Sequence, residues 1–537
     1  MARHVTFFVI AVLMTSATSV AILAAQSSPP ASVVGSWVYV PGNPFDSAPT
    51  DFSAAARKSL KAITLTAAPE EWECGTFYVN PPRDLGTVTA VSTDLTMGKA
   101  AITKDNVQVW TIHNMPLGMA GDAMAGTTRL LVKTEPSSPS IFGAKMTGDA
   151  KDEFKPGALK QMWVRVYVPK RARSGSYTGA ILLASSAGSW KVPLQVNVRP
   201  MRLLMPCKKY GFLSYYYPNP ISDETVSPQP AVATSRPISQ TAYVALLKEL
   251  KSHEVTMVSI SDQVSNLFDA LKIYKEIDMD NPVLYTGLGA WDDPPDEEKV
   301  RAIEKERKEL GLPDLLYAPS PYPLTGADKL DTTKEQLTEI TQKAWSKSGA
   351  LLADEAAVTA LGQYVSMPVY ALESPYVKRI LSGEEKRAAG RAEYYYWDAA
   401  NANPLTNRLN AGVLLWKAGL DGAYLVSEPP DAHPGQTISY GGPARLIYSV
   451  KDTVISTLNL DAIREGIDDA RYITTMMCAL REAKDLKRVP GLTSAAESYL
   501  KSFLDKPMDK MTYADLQAFR GKIATYASKI RQAVGGT

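Results

Sequence analysis

From about Trp37 to Met205 the chain is built of short runs in which apolar and polar residues alternate. Gly75–Asn80, Thr87–Val91, Val107–Ile112, Gln161–Pro169, Gly179–Ser185 and Trp190–Val198 each read as strands bounded by turn residues. Alternation sends one set of side chains inward and leaves the other to water, so many short strands of this kind predict a β-sandwich. Pro136, Pro139, Asp149, Asp152 and Pro156 mark a long irregular loop within it.

The pattern changes at about Lys208, where apolar runs begin to alternate with helical stretches. The strand candidates are Tyr210–Tyr217, Val255–Ile260, Pro282–Leu288, Asp314–Pro319, Ala350–Asp354, Pro368–Leu372, Glu393–Asp398 and Gly422–Val426. Between them, Tyr243, Leu246, Leu247 and Leu250 form an apolar helical stripe. Val300, Ile303 and Leu310 form a weaker one, and Leu337, Ile340 and Trp345 a third. Parallel strands need covering crossover helices, so eight such repeats predict a TIM-like barrel. Leu460–Glu482, Thr493–Leu504 and Tyr513–Val534 are helical in pattern. The predicted class is multidomain β plus α/β. An N-terminal β-sandwich (30–205) is followed by a TIM-like (β/α)8 barrel (208–482) and a C-terminal helical segment (483–537).

Ahead of these lies Arg3, an apolar run from Val5 to Ala25, and the break Gln26-Ser27-Ser28-Pro29-Pro30. A positive start, an apolar run and small residues at its end describe a secretory signal over 1–25, with an uncleaved anchor as the alternative. Thr15, Ser16, Thr18 and Ser19 weaken a permanent span. Secretion to the periplasm or outside the cell is expected, with no membrane span after signal cleavage.

Composition removes several classes. Lys and Arg number 58 and Asp and Glu 56, a net charge of +2, so no basic field exists for a nucleic acid partner. The 3 cysteines show no CxxC spacing, and the 4 histidines are scattered without an HExxH. No metal site and no cofactor are expected. Gly287-Leu288-Gly289 lacks the third glycine of a dinucleotide fingerprint.

Three stretches together resemble glycoside hydrolase family 123. They are Ala68-Pro69-Glu70-Glu71 with Asp84-Leu85 and Val91–Leu95, then Gln161–Val164 with Val168-Pro169 and Ser174–Gly179, then Leu460–Tyr472. The resemblance implies a sandwich-plus-barrel fold and removal of N-acetylgalactosamine from glycans, with the sugar's own acetamido oxygen attacking the anomeric carbon. It further implies a Glu that protonates the leaving oxygen and an adjacent Asp that orients the acetamido group. In the family these sit in an Asp-Glu-Pro context at the end of the fourth barrel strand. Here that strand reads Leu315-Leu316-Tyr317-Ala318-Pro319-Ser320-Pro321, so Pro319 and Ser320 occupy the two places. Neither donates a carboxylic proton. Asp354-Glu355 is the adjacent acidic pair nearest to a strand, and it fits a helix start better.

Barrel sites gather at the C-terminal ends of the strands. Glu373, Asp398 and Glu428 follow the sixth, seventh and eighth strand candidates and are the replacement carboxylates, each with capping or Arg pairing as its alternative role. Tyr216 and Asp262 stand at the ends of the first and second. Trp397, in Tyr394-Tyr395-Tyr396-Trp397-Asp398, is the preferred residue to stack on a sugar, against the alternative of barrel core. Arg408 is a candidate for a sugar hydroxyl, against structural pairing with an acid. Arg464-Glu465-Gly466-Ile467-Asp468-Asp469 reads as anchoring of its helix rather than catalysis. The partner expected is a glycan or oligosaccharide. Three functions follow: a hydrolase-like protein with an altered acid set, an inactive glycan binder, or a structural component of an extracellular assembly.

Overall fold

The structure is a computed structural model that describes residues 38–39, 43–46, 62–81, 83–86, 88–116, 127–133, 154, 159–214, 239–260, 264–279, 281–290, 296–320, 322–326, 330–428, 444–450 and 453–535. The proposed signal, Tyr216 and Asp262 lie outside the described residues. Among the described residues no helix is long and apolar enough to cross a membrane.

The N-terminal part contains β1 (Val38–Tyr39), β2 (Ile63–Ala67), β3 (Trp72–Val79), β4 (Thr89–Ser92), β5 (Leu95–Met97), β6 (Ala100–Ile102), β7 (Val107–Pro116), β8 (Thr127–Lys133), β9 (Lys160–Tyr167), β10 (Gly175–Ser185) and β11 (Gly188–Val198). They form one sheet of order β1-β3-β9-β7-β8 and another of order β2-β11-β10-β5-β6, with β4 beside β10. The alternation read from the sequence sets the inward faces. Phe77, Met162 and Val164 from one sheet meet Ile181, Val192, Leu194 and Val196 from the other in a single buried cluster.

Eight parallel strands follow: β12 (Lys209–Leu213), β13 (Met257–Ile260), β14 (Val283–Tyr285), β15 (Leu315–Tyr317), β16 (Gly349–Leu352), β17 (Met367–Ala371), β18 (Tyr394–Asp398) and β19 (Gly422–Val426). All eight strand candidates are present. Each pairs with its sequence neighbour except β15 and β16, which are the sheet's two edges, and β19 returns to β12. A parallel bridge between Tyr317 and Ser348 links β15 to β16, so the barrel is nearly closed. The third strand ends earlier than read, because Gly287–Ala290 is helical. Closure demands room for large inward side chains. At Gly422 an added Cβ would lie 2.2 Å from Tyr394 Cε1, so only glycine admits that ring.

The covering helices start at side-chain caps. Ser239, Asp296, Asp354, Ser374 and Asn403 each accept a backbone N–H three residues on. Tyr243, Leu246, Leu247, Leu250, Val300, Ile303, Leu337 and Ile340 are buried as the stripes require. Leu310 and Trp345 are not, at 44% and 83% exposure. Leu310 caps the end of its helix, and Trp345 follows a π-helical turn with φ of 55°, which rotates both off the apolar stripe. A hairpin of β20 (Ile447–Val450) and β21 (Thr453–Ser456), absent from the sequence reading, leads into the long helix Leu458–Asp485. Helices Pro490–Leu504 and Tyr513–Val534 pack on that helix through Leu500, Phe503, Phe519 and Ile523.

Sandwich, barrel and long helix meet at a buried charge network. It comprises Glu71, Glu73, Asp461, Glu465, Asp468 and Asp469 with Arg165, Arg408, Arg464, Arg471 and Arg520, plus His253. Arg165 of β9 grips Asp461 through Nε at 2.9 Å and Nη2 at 2.7 Å, while His253 Nε2 lies 3.1 Å from the same carboxylate. Arg520 of the terminal helix reaches Asp469 at 2.8 Å, Glu465 at 2.9 Å and Glu73 at 3.1 Å. Burial opposes ionisation of Asp461, yet Arg165, Arg464 and His253 hold its carboxyl below the usual range. Burial and the neighbouring Glu465 push Glu73 well up. Within the run Arg464–Asp469, Gly466 sets the helix spacing, since a Cβ there would lie 2.3 Å from the Arg408 carbonyl oxygen. The anchoring read for this motif is what these contacts accomplish.

Candidate active site at the barrel mouth

The barrel wall has two faces. Leu213, Met257, Leu284, Leu316, Leu351, Val369, Tyr394, Tyr396, Tyr424 and Val426 form the interior cluster. Phe212, Val258, Tyr285, Tyr317, Tyr370, Tyr395, Trp397 and Leu425 join the outer core beneath the helices. Successive residues of a strand point to opposite faces, so this phase assigns every neighbour. Gly422 and Tyr394 fill the end where the strands enter. The C-terminal end carries smaller and more polar groups. There the Ser214 N–H donates to Ser259 Oγ at 3.1 Å, and Thr286 Oγ1 donates to the Ile260 carbonyl at 3.3 Å.

Asp398 closes β18 on the same face as Tyr394 and Tyr396, and it is exposed at the mouth. Its carboxylate accepts the Asn401 N–H at 3.0 Å and the Asn401 side-chain amide at 2.7 Å. Glu428 lies two residues beyond Val426, the register partner of Asp398 on the adjoining strand, and is half-buried. Glu373, beyond β17, is 84% exposed and pairs with Lys378 at 3.0 Å. Asp398 and Glu428 thus stand at the ends of adjoining strands, while Glu373 extends into solvent.

Trp397 stands on the other face. Its indole is buried among the covering helices and donates Nε1–H to Asn407 Oδ1 at 2.8 Å. Tyr396, one residue earlier, stands on the interior face instead. Strand alternation tied Tyr394, Tyr396 and Asp398 to one face and Trp397 to the other, but which face looks inward is set by packing, with Tyr394 against Gly422 inside the barrel. Arg408 is likewise removed from the mouth. It is 1% exposed and forms a two-pronged contact with Asp469, Nε at 2.7 Å and Nη2 at 3.0 Å. That is the structural pairing held open for it.

At the end of β15, Pro319 is buried and Ser320 half-buried. Ser320 Oγ accepts the Tyr322 N–H at 3.0 Å and so closes a turn. Asp354 caps the helix Glu355–Leu361 and also accepts the Gly326 N–H at 2.8 Å. These backbone N–H groups hold its carboxyl below the usual range, the wrong direction for a proton donor. Glu355 is bound to Arg379 at 2.9 Å. Among the described residues, no group of three His, Cys, Asp or Glu side chains is arranged to hold a metal ion. Much of the first, second, third and eighth mouth loops lies outside the described residues.

No family model and no curated protein matches this sequence. Among solved structures, the chain is similar to a family 123 glycoside hydrolase from Clostridium perfringens studied for glycolipid glycan hydrolysis. The match has a TM-score of 0.64 at 13% identity and covers 93% of this chain and 98% of that one. The fold is thus that of a family 123 glycoside hydrolase, sandwich and barrel together. β-Glucuronidase 3 of Bacteroides uniformis matches at a TM-score of 0.29 and 8% identity over 76% of this chain and 52% of that one. A putative α-galactosidase of Bacteroides fragilis matches at 0.22 and 9% identity over 68% and 64%. Neither reaches a similarity that bears on function.

Proposed function

We propose that this protein is an exported glycan-recognising protein on a glycoside hydrolase fold, which binds a saccharide in the barrel mouth without acetamido-assisted cleavage. One observation carries the reading: the strand-four end that serves the resembling family bears Pro319 and Ser320, and Ser320 is engaged in a turn. Without a carboxylic proton donor the leaving oxygen departs unassisted, a loss of about 10²–10⁴-fold in rate. Without the orienting Asp the acetamido oxygen loses its near-attack position as well. Tyr396 on the interior face and Asp398 as an acceptor at the mouth would suit a pyranose with one apolar face and hydroxyls around it.

The test pairs turnover with binding. Aryl N-acetylgalactosaminide should remain intact, while calorimetric titration with an N-acetylgalactosamine-terminated oligosaccharide should show binding that Asp398→Asn weakens. Turnover at rates ordinary for enzymes sinks the reading. A second reading rests on Asp398 and Glu428, which follow adjoining strands at the mouth, as two carboxylates working across a sugar. It is favoured over binding alone if Asp398→Asn and Glu428→Gln each abolish cleavage of some glycoside while sparing its affinity.

A further inference from the structure

A cleft of about 480 Å³ opens where the sandwich meets the barrel, among Trp72, Tyr167, Glu70, Glu254, Asp468 and Arg471. It lies by the C-terminal end of the helix Gln240–Ser252, which precedes β13, and so at the opposite end of the barrel from the mouth. Its size is in the range of small-molecule sites. Trp72 and Tyr167 are direct register partners on β3 and β9, with ring centroids 5.1 Å apart, and both are partly exposed. The Arg464 guanidinium lies 5.9 Å from the Trp72 ring. An aromatic pair on a sheet is by itself ordinary packing. Three further observations make this one a site.

Glu254 makes no side-chain hydrogen bond or ion pair among the described residues, although burial raises its carboxyl above the usual range. Asp468 Oδ2, Arg471 Nε and Arg464 Nε are buried with no hydrogen-bond partner, on side chains 1%, 4% and 3% exposed. Buried polar atoms without partners are rare and call for a ligand or ordered water. Third, Glu70 and Glu254 hold left-handed backbone, with φ of 66° and 61°, where glycine is the relaxed choice. Both line the same cleft. Strained non-glycine backbone collects at functional sites.

The charges define the ligand. Glu70 is paired with Arg202, and Asp468 with Arg471 at 2.7 Å. An anion would face Glu254 and Asp468, and a cation would face Arg464 and Arg471. A hydroxyl both donates and accepts, so it satisfies either neighbour. Two aromatic faces suit the C–H surface of a ring. We propose that this cleft is a second saccharide site, separate from the barrel mouth, which seats an uncharged pyranose unit on Trp72 and Tyr167 and binds its hydroxyls through Glu254 and the Asp468–Arg471 pair. It rests on its own residues and stands or falls apart from the mouth.

The probes are glucose, galactose, N-acetylglucosamine and N-acetylgalactosamine, tested separately by saturation-transfer NMR on the full chain carrying Asp398→Asn, which weakens the mouth. At least one sugar should bind. Trp72→Ala in that background should weaken it about tenfold, the loss of one aromatic face. Because Trp72→Ala also removes packing, Glu254→Gly is the second variant. It relaxes the backbone, so it should raise Tm while weakening the sugar about tenfold through the lost charged acceptor. No binding by any of the four sugars, or binding indifferent to both substitutions, overturns the proposal. Binding by the wild type that Asp398→Asn alone abolishes would leave the mouth reading standing and this one refuted.

Discussion

Arg520→Met tests the charge network most directly. The guanidinium is 1% exposed and meets three carboxylates within 3.1 Å, with Glu71 at 3.6 Å, and its Nη2 also donates to the Glu465 carbonyl at 2.8 Å. Methionine fills most of the volume but leaves the acids facing one another without a cation. Breaking a buried pair on one side costs about 3–5 kcal/mol. Arg408 continues to serve Asp469, which limits the damage to Glu465, Glu73 and Glu71. The orphaned carboxyls escape by taking up protons, so their folded pKa values rise above the unfolded ones. Stability tied to such a group is present below the unfolded pKa and lost as pH rises through the folded pKa. Each pH unit is worth about 1.4 kcal/mol per proton, so the variant's deficit should shrink by about 2–3 kcal/mol between about pH 7 and about pH 5. A chain of several domains need not unfold in one step, so hydrogen exchange of the terminal helix Tyr513–Val534 is the cleaner readout beside urea denaturation. Arg520→Lys should fall between, because an ammonium cannot span the same set of oxygens. A deficit below about 1 kcal/mol at neutral pH, or one that does not shrink on acidification, refutes the account of the network as an interlocked set of desolvated charges.

Burial, assisted by Asp468, pushes the Glu71 carboxyl up to about 7 from 4.5. Its contribution is therefore full below about pH 4.5 and lost on the way to about pH 7, up to about 3 kcal/mol, and Glu71→Gln should flatten that part of a stability-versus-pH curve. An unchanged slope in Glu71→Gln would contradict this. Gly466→Ala should cost about 1–3 kcal/mol in urea denaturation, since its Cβ meets the Arg408 carbonyl at 2.3 Å. Trp397→Phe loses the bond to Asn407 and core volume, so Tm should fall while saccharide affinity at the mouth stays put. A changed affinity at constant Tm would return Trp397 to the site.

The division into alternating strands and then strand–helix repeats was legible because periodicity is local. Periods of two and of 3.6 residues are written in the order of Tyr177, Ile181 and Leu183 or of Tyr243, Leu246 and Leu250, and burial follows them. Likewise Pro319 and Ser320 at the end of the fourth strand are read directly from the sequence. Which face of a barrel strand looks inward is not local. In Tyr394–Asp398 every ring is apolar enough for either side, and only the approach of Tyr394 to Gly422 fixes the phase and puts Trp397 outside. Leu310 and Trp345 missed the apolar stripe because helix ends depart from a regular period.

Longer-range partners were less legible still. Arg408 and Asp469 are 61 positions apart and Arg520 and Glu73 447, so no spacing rule links them. A buried ion is tolerable only where opposite charges from separate elements arrive together, and that is decided by packing. The cleft at Trp72 and Tyr167 arises in the same way, from residues of the sandwich, a barrel helix and the long helix. Sequence determined the barrel strands, the covering helices and the residues that end strand four. Tertiary structure decided which polar residues are neutralised within the core and which remain free to meet a ligand, because desolvation and pairing depend on neighbours brought from far along the chain.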